Sequence, residues 1–165
     1  MTGLEDLYRE IILDHYRSPR NRGELPVPPA YRVEGFNPLC GDEVVVFVEV
    51  SDGSLSDIRV SGHGCSISQS SGSLMSAAVK GKPLSEVRDL IRTFKAMMSV
   101  HEARLGDENE PVGTNGSSVE DEATPDPDTL GELSALQGVV KFPVRIKCAT
   151  LSWNALSQGL DELGV

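Results

Sequence analysis

The fold class of this chain is indicated by residues 44–60, which read VVVFVEVSDGSLSDIRV. The first half of this stretch is rich in β-branched residues, and Asp52-Gly53 is a two-residue turn signal. After the turn, Leu55, Asp57 and Arg59 alternate with the residues between them. The pattern predicts a β-hairpin. We expect a further short strand near residues 33–37 to pair with it and complete a small antiparallel sheet.

Helical patterns lie on both sides of this hairpin in the sequence. A capping box from Thr2 to Glu5 opens a first helix, predicted from about Gly3 to Tyr16. Beyond Cys65, apolar residues follow a second helical face as far as the break at Gly81-Lys82-Pro83. A third helix is indicated by three- and four-residue apolar spacing from Leu84 to Met98.

The last third of the chain predicts two more helices. A short one is expected over residues 130–136, and a final one after Pro143. Cys148 is predicted in the first turn of that final helix, where the helix dipole and unpaired amides favour a thiolate. The expected fold is therefore α+β, with an N-terminal helix, a small antiparallel sheet and several helices packed on one sheet face.

Length and composition narrow the class of protein. A chain of 165 residues fits one domain, which we expect to span residues 1–165. Its net charge of −10 argues against binding to a phosphate backbone, so no nucleic-acid partner is expected. The apolar runs are far shorter than a membrane span, and residues 1–8 hold no apolar core of a signal peptide. We expect a cytoplasmic protein without a membrane partner.

The negative charge is concentrated in one segment. Residues 106–128 hold eight acids and no base, together with three prolines and three glycines. A segment of this composition cannot bury enough apolar surface to offset the entropy of ordering it. We therefore predict a disordered acidic loop at about 106–128, with the rest of the chain close to neutral.

Three cysteines lie in polar or turn-forming surroundings. Cys40 lies in Asn37-Pro38-Leu39-Cys40-Gly41-Asp42, Cys65 follows Ser61-Gly62-His63-Gly64, and Cys148 lies in Arg145-Ile146-Lys147-Cys148-Ala149. Cysteines that fill a core are expected in apolar runs, so these three are predicted to be exposed enough to ligate or react. Asp42 is the natural fourth donor of a tetrahedral zinc site, and Arg145 and Lys147 supply cations for its anionic ligands.

Other interpretations of these residues stay open at this level. An odd number of cysteines and the absence of an export signal argue against a disulfide framework. A purely structural zinc clamp, however, would use the same four ligands. His63 is either a ligand or, because four donors are already present, a loop residue outside the ligand set. His15 is expected to be a packing residue or part of a partner surface.

Several motifs together resemble the SufU branch of the IscU/NifU-like iron–sulfur assembly proteins. The similar segments are the amino-terminal helix and its turn, the two motifs that contain Cys40 and Cys65, and the run around Cys148; they read LYR (7–9), DHY (14–16), PRN (19–21), NPLCGD (37–42), GHGCSIS (62–68) and RIKCATLSW (145–153). IscU-type scaffolds carry a histidine immediately before the third cysteine, whereas Lys147 stands there in this chain. A protonated lysine is a poor ligand, which favours the SufU branch.

The resemblance implies a zinc-dependent sulfurtransferase that acts with a partner and is not a stand-alone hydrolytic or redox enzyme. A SufS-type, pyridoxal phosphate-dependent cysteine desulfurase would supply persulfide sulfur, and downstream iron–sulfur assembly proteins would be further partners. Zinc is expected on Cys40, Asp42, Cys65 and Cys148. By motif position, Cys40 is the catalytic thiol, released when a desulfurase histidine replaces it on the metal.

The resemblance leaves two further points open. Arg145 is expected either to assist this exchange or to balance the charge of the zinc centre. The alternative function is an IscU-type scaffold on which a [2Fe–2S] cluster is assembled and passed on.

Overall fold

The computed structural model describes residues 3–38, 41–106 and 131–165, and in them an α+β fold. In chain order the elements are α1 (Gly3–Arg17), β1 (Tyr31–Asn37), β2 (Asp42–Ser51), β3 (Ser54–His63), α2 (Ser66–Val79), α3 (Leu84–Gly106), a 3-10 segment (Gly131–Lys141) and α4 (Pro143–Leu163). The predicted order of an N-terminal helix, a small sheet and then helices is confirmed. No helix within these residues is long and apolar enough to cross a membrane.

The three strands form one antiparallel sheet in the order β1-β2-β3. Asp52 and Gly53 both have positive φ, 51° and 74°, as the tight turn of a twisted hairpin requires. In the register of β1 and β2, Asn37 lies opposite Asp42, so both residues lie at the same end of the sheet. The predicted hairpin and the predicted third strand are confirmed.

One face of the sheet carries the core. Its inward residues Val33, Val46 and Ile58 are buried in a single apolar cluster with residues of α2, α3, the 3-10 segment and α4. Within that cluster the rings of Phe94 and Trp153 are stacked, with centroids 4.2 Å apart. Stacked aromatic rings of this kind stabilise a core beyond the area that they bury. Helix packing on one sheet face is thus the observed architecture.

Helix α1 is fastened to the rest of the fold by a buried histidine. His15 Nδ1 lies 2.7 Å from Ser73 Oγ of α2, and its Nε2 lies 3.0 Å from Glu132 Oε2 of the 3-10 segment. The turn after α1 is also held against α2, because the Arg20 amide donates to Ser73 Oγ. The prediction of a packing role for His15 is confirmed.

The structure differs from the sequence predictions at the ends of three elements. Helix α3 continues to Gly106, and the short helix predicted over 130–136 is a 3-10 segment as far as Lys141. Helix α4 begins at Pro143, a position that suits the first residue of a helix. Five helical residues therefore precede Cys148, and the prediction that it lies in the first turn is wrong. The capping residue Thr2 and nearly all of the predicted acidic loop lie outside the described residues.

Candidate metal centre

Three potential ligands meet where the sheet faces the start of two helices. Asp42 is the first residue of β2, Cys65 directly precedes α2, and Cys148 lies in the second turn of α4. One carboxylate oxygen and the two sulfur atoms all lie within 4.8 Å of one another. Asp42 and Cys148 are fully buried, and Cys65 is half-buried. The fold thus brings together three of the four ligands predicted from the sequence.

The position of Asp42 fits a tetrahedral metal ion. Its Oδ1 accepts a hydrogen bond of 2.9 Å from the Cys65 amide, which fixes the carboxylate, while its Oδ2 lies 3.8 Å from Cys65 Sγ. In a tetrahedral zinc site with ordinary bond lengths, the edge between a sulfur and an oxygen ligand is about 3.6 Å. Two thiols and one carboxylate at this spacing match the donor chemistry of zinc.

Two glycines permit this close approach. Gly62 has a φ of +121°, a conformation that favours glycine, and a Cβ there would overlap the backbone of Glu43. A Cβ on Gly64 would lie within 2.6 Å of Ser68 Oγ and closer still to Asp42 Oδ1. Cys65 can therefore lie beside Asp42 only because neither Gly62 nor Gly64 carries a side chain.

Cys65 is the N-cap residue of α2. Its sulfur accepts from the Ser68 amide at 3.5 Å, and Ser68 Oγ donates to the Cys65 carbonyl at 3.1 Å. The Ser68 amide is one of the N–H groups at the start of a helix that have no partner within the helix, and the Cys65 sulfur supplies one. Cys65 thus caps the helix with its sulfur, and Ser68 supports the cap.

Cys148 is deeper in the molecule than the sequence predicted. Its side chain is fully buried in the second turn of α4, so the prediction that all three cysteines are exposed is wrong for this one. The Asn37 amide nitrogen lies 3.8 Å from Cys148 Sγ, and Sγ lies 3.9 Å from the Val144 carbonyl oxygen. In the sequence, the one signal for Asn37 is its place at the start of the Cys40 motif.

Arg145 brings a positive charge to both sulfur atoms. The charge of Cys65 raises the pKa of Arg145 above its ordinary value, and hydrogen bonds to Cys65 and Cys148 act in the same direction. The guanidinium therefore faces the place where thiolates would be held, and the predicted cation is present. Lys147, on the same turn of α4, is exposed.

The structure leaves two predicted site residues apart from this group. Cys40 lies outside the described residues, in the sequence between Pro38 and Gly41, so its ligand and catalytic roles stay predictions. The side chain of His63 is 75% exposed, and its Nε2 lies 3.9 Å from Glu43 Oε2. Within the described part of the chain, His63 contributes no atom to the group of converging ligand atoms.

The described residues form an α+β protein in which two cysteines and a carboxylate make a candidate metal centre, and comparison with known proteins gives its family. Residues 7–149 match the family model of the NifU-like N terminal domain. The chain therefore belongs to the IscU/NifU-like family of iron–sulfur cluster assembly proteins.

Two curated relatives illustrate the family. The zinc-dependent sulfurtransferase SufU of Bacillus subtilis is 38% identical, over 96% of this chain and 92% of that protein. The iron–sulfur cluster assembly scaffold protein IscU of Streptococcus pyogenes is 35% identical, over 98% of this chain and 87% of that protein.

A solved structure shows the same fold. It is a candidate iron–sulfur cluster assembly scaffold protein for the SUF system from Fervidobacterium islandicum, with a TM-score of 0.72 and 28% identity. The match covers 96% of this chain and 99% of that one. The resemblance inferred from the motifs is thereby confirmed at the level of family and fold.

Proposed function

We propose that this protein is a zinc-dependent sulfurtransferase that accepts sulfur from a SufS-type cysteine desulfurase for iron–sulfur cluster assembly. The observation that carries the proposal is the convergence of Asp42, Cys65 and Cys148 within 4.8 Å. Similarity to a zinc-dependent sulfurtransferase over nearly the whole chain supports the same conclusion.

Zinc fits the donor set and its surroundings. We propose that Cys40 completes the ligands, because it lies two residues before Asp42 in the segment that joins β1 to β2. Three thiolates and a carboxylate around a dication leave a net negative charge, which the Arg145 guanidinium would offset. When bound, zinc would supply a redox-inert Lewis acid that keeps cysteines deprotonated near neutral pH.

The transfer itself is a thiolate displacement at sulfur. The Cys40 thiolate attacks the outer sulfur of the desulfurase persulfide, forming a new S–S bond as the bond to the donor cysteine breaks. The electron pair leaves with the donor sulfur as a thiolate, so the persulfide passes to Cys40 without net oxidation or reduction. The depth of Cys148 supports the choice of Cys40, because a fully buried sulfur is closed to an incoming persulfide.

Lys147 favours sulfur transfer over the scaffold alternative. The histidine that IscU-type scaffolds carry immediately before the third cysteine is replaced here by the exposed Lys147, so a [2Fe–2S] cluster would lack that donor and have only Asp42 beside the cysteines. The scaffold function keeps one specific observation in its favour, namely similarity to a curated IscU over 98% of the chain. Metal analysis and absorption spectra of aerobically purified protein separate the two, since we expect zinc and a colourless protein.

The decisive experiment compares the wild type with Cys40→Ala in the presence of a SufS-type desulfurase. We expect the wild type to accelerate alanine release from L-cysteine and to gain the mass of one sulfur atom. Cys40→Ala should fold and hold zinc more weakly on Asp42, Cys65 and Cys148, yet leave the desulfurase at its basal rate. Equal stimulation by both proteins would refute the assignment of Cys40 as the acceptor.

A purely structural zinc site makes a different prediction for the same assay. A structural site predicts that the wild type neither accelerates the desulfurase nor acquires sulfur. It also predicts that removal of zinc unfolds the protein. Cys148→Ser serves as the matched variant, because it removes a buried ligand that the proposal does not use as the acceptor. We expect Cys148→Ser to lose zinc and stability together.

A further inference from the structure

Asn37 is a buried polar residue at the end of the sheet where the candidate ligands converge. It is the last residue of β1, its exposed fraction is 5%, and it pairs with Asp42 in the register of β1 and β2. Along the strand, Val33 and Asn37 are buried while Phe36 is exposed, so the Asn37 side chain points inward. A buried amide is costly unless its polar atoms have partners. The contacts of this side chain therefore matter for the centre.

Two glycines let β1 approach α4 closely. A Cβ on Gly35 would lie 3.2 Å from a methyl group of α4, and a Cβ on Gly159 would lie 3.0 Å from Val33 Cγ1. Both distances are shorter than an ordinary contact between carbon atoms. Because the strand and the helix lie this close, the Asn37 side-chain nitrogen reaches to 3.8 Å from Cys148 Sγ.

Both sulfur atoms in the described part of the centre have nitrogen donors beside them. Cys65 Sγ accepts from the Ser68 amide at 3.5 Å, and Cys148 Sγ faces the Asn37 amide. Arg145 forms hydrogen bonds to both sulfur atoms. Hydrogen bonds to an ionised sulfur are stronger than those to a neutral one, and they orient a metal ligand. The donor to Cys65 belongs to the main chain, whereas the Asn37 donor can be removed by substitution.

We infer that Asn37 is a positioning residue, whose side-chain N–H group donates to the Cys148 thiolate and holds that sulfur toward the other converging ligands. Its importance during turnover rests on the proposed function, because a Cys40 that accepts sulfur would leave three ligands to hold zinc. A ligand whose orientation is already fixed loses less side-chain entropy on binding. Partners of metal ligands commonly contribute about 10- to 100-fold to metal affinity.

Release of zinc to a chelator tests this role. Asn37→Leu removes the donor and keeps a side chain of similar shape, so we expect it to release zinc about tenfold faster than the wild type. Asn154→Leu is the matched control, because it makes the same change at an exposed asparagine of α4. The control should release zinc at the wild-type rate. Equal release rates for the wild type and Asn37→Leu would overturn the inference.

Cobalt(II) bound in place of zinc gives a spectroscopic signature that altered packing alone does not move. Loss of the N–H donor leaves more electron density on the sulfur, so the sulfur-to-cobalt charge-transfer band of Asn37→Leu should shift to longer wavelength. The band of Asn154→Leu should coincide with that of the wild type. If Asn37 only packs, Asn37→Leu lowers the Tm and leaves the band unshifted at full cobalt occupancy, which would refute the positioning role.

A second substitution keeps the test decisive if Asn37→Leu does not fold. Asn37→Val places a β-branched residue, which suits a strand, at the buried end of β1. It also lacks the donor, so its cobalt band should shift in the same direction and its zinc should be released faster. A wild-type band and a wild-type release rate in this variant would contradict the inference.

The desulfurase assay separates this inference from the proposed function. Over repeated turnovers, the wild type and Asn154→Leu should keep their zinc, while Asn37→Leu should lose zinc and acceleration together until zinc is added back. If the wild type does not accelerate a desulfurase although Asn37→Leu shifts the cobalt band and releases zinc faster, the function is wrong and the role of Asn37 stands. If the wild type accelerates the desulfurase and Asn37→Leu matches it in band and release rate, the role of Asn37 is wrong and the function stands.

Discussion

The two carboxylate oxygens of Asp42 have different contacts in the candidate metal centre. Oδ1 accepts from the Cys65 amide and so fixes the entry into α2, while Oδ2 faces the sulfur of the same residue. The carboxylate is fully buried, and a buried carboxylate is costly without partners of this kind. Substitutions at this residue can separate its hydrogen bond to the Cys65 amide from its proposed role as a ligand.

We expect Asp42→Ala to release zinc to a chelator about tenfold or more faster than the wild type, while three cysteines still bind it. Asp42→Asn is the matched variant, because its amide oxygen can still accept from the Cys65 amide although the charge is lost. It should unfold close to the wild-type temperature and yet show faster release of zinc. Wild-type release rates in both variants would exclude Asp42 from the ligand set.

Gly64 is the second residue whose substitution tests the geometry of the centre. A Cβ at this position would overlap Asp42 Oδ1 and Ser68 Oγ, so we expect Gly64→Ala to cost about 1–3 kcal/mol and to weaken zinc binding. Gly138→Ala is the control, since nothing lies within 4 Å of its Cβ. Thermal unfolding and zinc titration of the two variants should differ clearly; similar results for both would contradict the described approach of Gly64 to Asp42.

Serine side chains of α2 form hydrogen bonds with α1, with the turn that follows α1 and with α4. Ser73 contacts α1 through His15, and Ser76 Oγ donates to the Arg20 carbonyl in the turn that follows α1. On another side, Ser71 Oγ donates to the Ala149 carbonyl and accepts from the Trp153 indole of α4. Small hydroxyl side chains allow these close approaches and still satisfy buried polar groups.

His15→Ala should destabilise the protein by about 2–3 kcal/mol, because it removes a buried side chain and leaves Ser73 Oγ with one partner fewer. The control is His63→Ala, whose imidazole is 75% exposed and whose loss should change stability by no more than about 0.5 kcal/mol. Denaturant unfolding of both variants checks the difference. Equal effects would show that His15 does not fasten α1.

A hydrogen bond between Tyr31 of β1 and Glu162 of α4 gives a prediction about pH. The Tyr31 hydroxyl lowers the pKa of Glu162, and the same bond raises the pKa of Tyr31. The contribution of Glu162 to the stability of the folded state is present above the ordinary carboxyl pKa. It is lost as pH falls through the lowered pKa of Glu162. The contribution of Tyr31 to stability is present below the ordinary phenol pKa. It is lost as pH rises through the raised pKa of Tyr31.

Tyr31→Phe should therefore lower the Tm slightly at neutral pH, and the difference from the wild type should vanish in strong acid and in strong base. Glu162 is exposed and Tyr31 is only half-buried, so the effect is small. Tm measured across the pH range checks this. A Tm difference that is constant at every pH would show that packing, and not this hydrogen bond, is what the substitution changes.

At the scale of the whole molecule, the centre links parts of the chain that are distant in sequence. Asp42 begins β2, Cys65 caps α2 and Cys148 lies in α4, so an ion held by all three would connect the sheet to two helices. A ligand that binds only the folded state stabilises that state by mass action. Metal and fold should therefore depend on each other.

Removal of zinc by a chelator should lower the Tm by roughly 10 °C, the shift expected if free zinc exceeds its Kd by about a thousandfold. Added zinc should restore the Tm. A variant with both Asp42→Ala and Cys148→Ser should melt at the same temperature with and without chelator. A wild-type Tm that does not respond to the chelator would show that these residues hold no metal that matters for stability.

Features that depend on neighbours along the chain could be predicted from the sequence. The hairpin over residues 44–60, the antiparallel strand before it and the helices on both sides follow from turn chemistry and from apolar periods of two and of three to four residues. The family resemblance also lies in short motifs, and they pointed to Asp42, Cys65 and Cys148 as candidate ligands.

The convergence of those residues depends on the tertiary structure. Cys65 lies 23 positions after Asp42 and Cys148 lies 83 positions after Cys65, and local patterns carry no information on distances between such positions. The burial of Cys148, the capping role of Cys65 and the approach of Gly64 to the carboxylate all depend on how α2 and α4 pack against the sheet. The surroundings of a side chain are set by packing between distant segments, which is why the candidate ligands could be predicted from the sequence and their convergence could not.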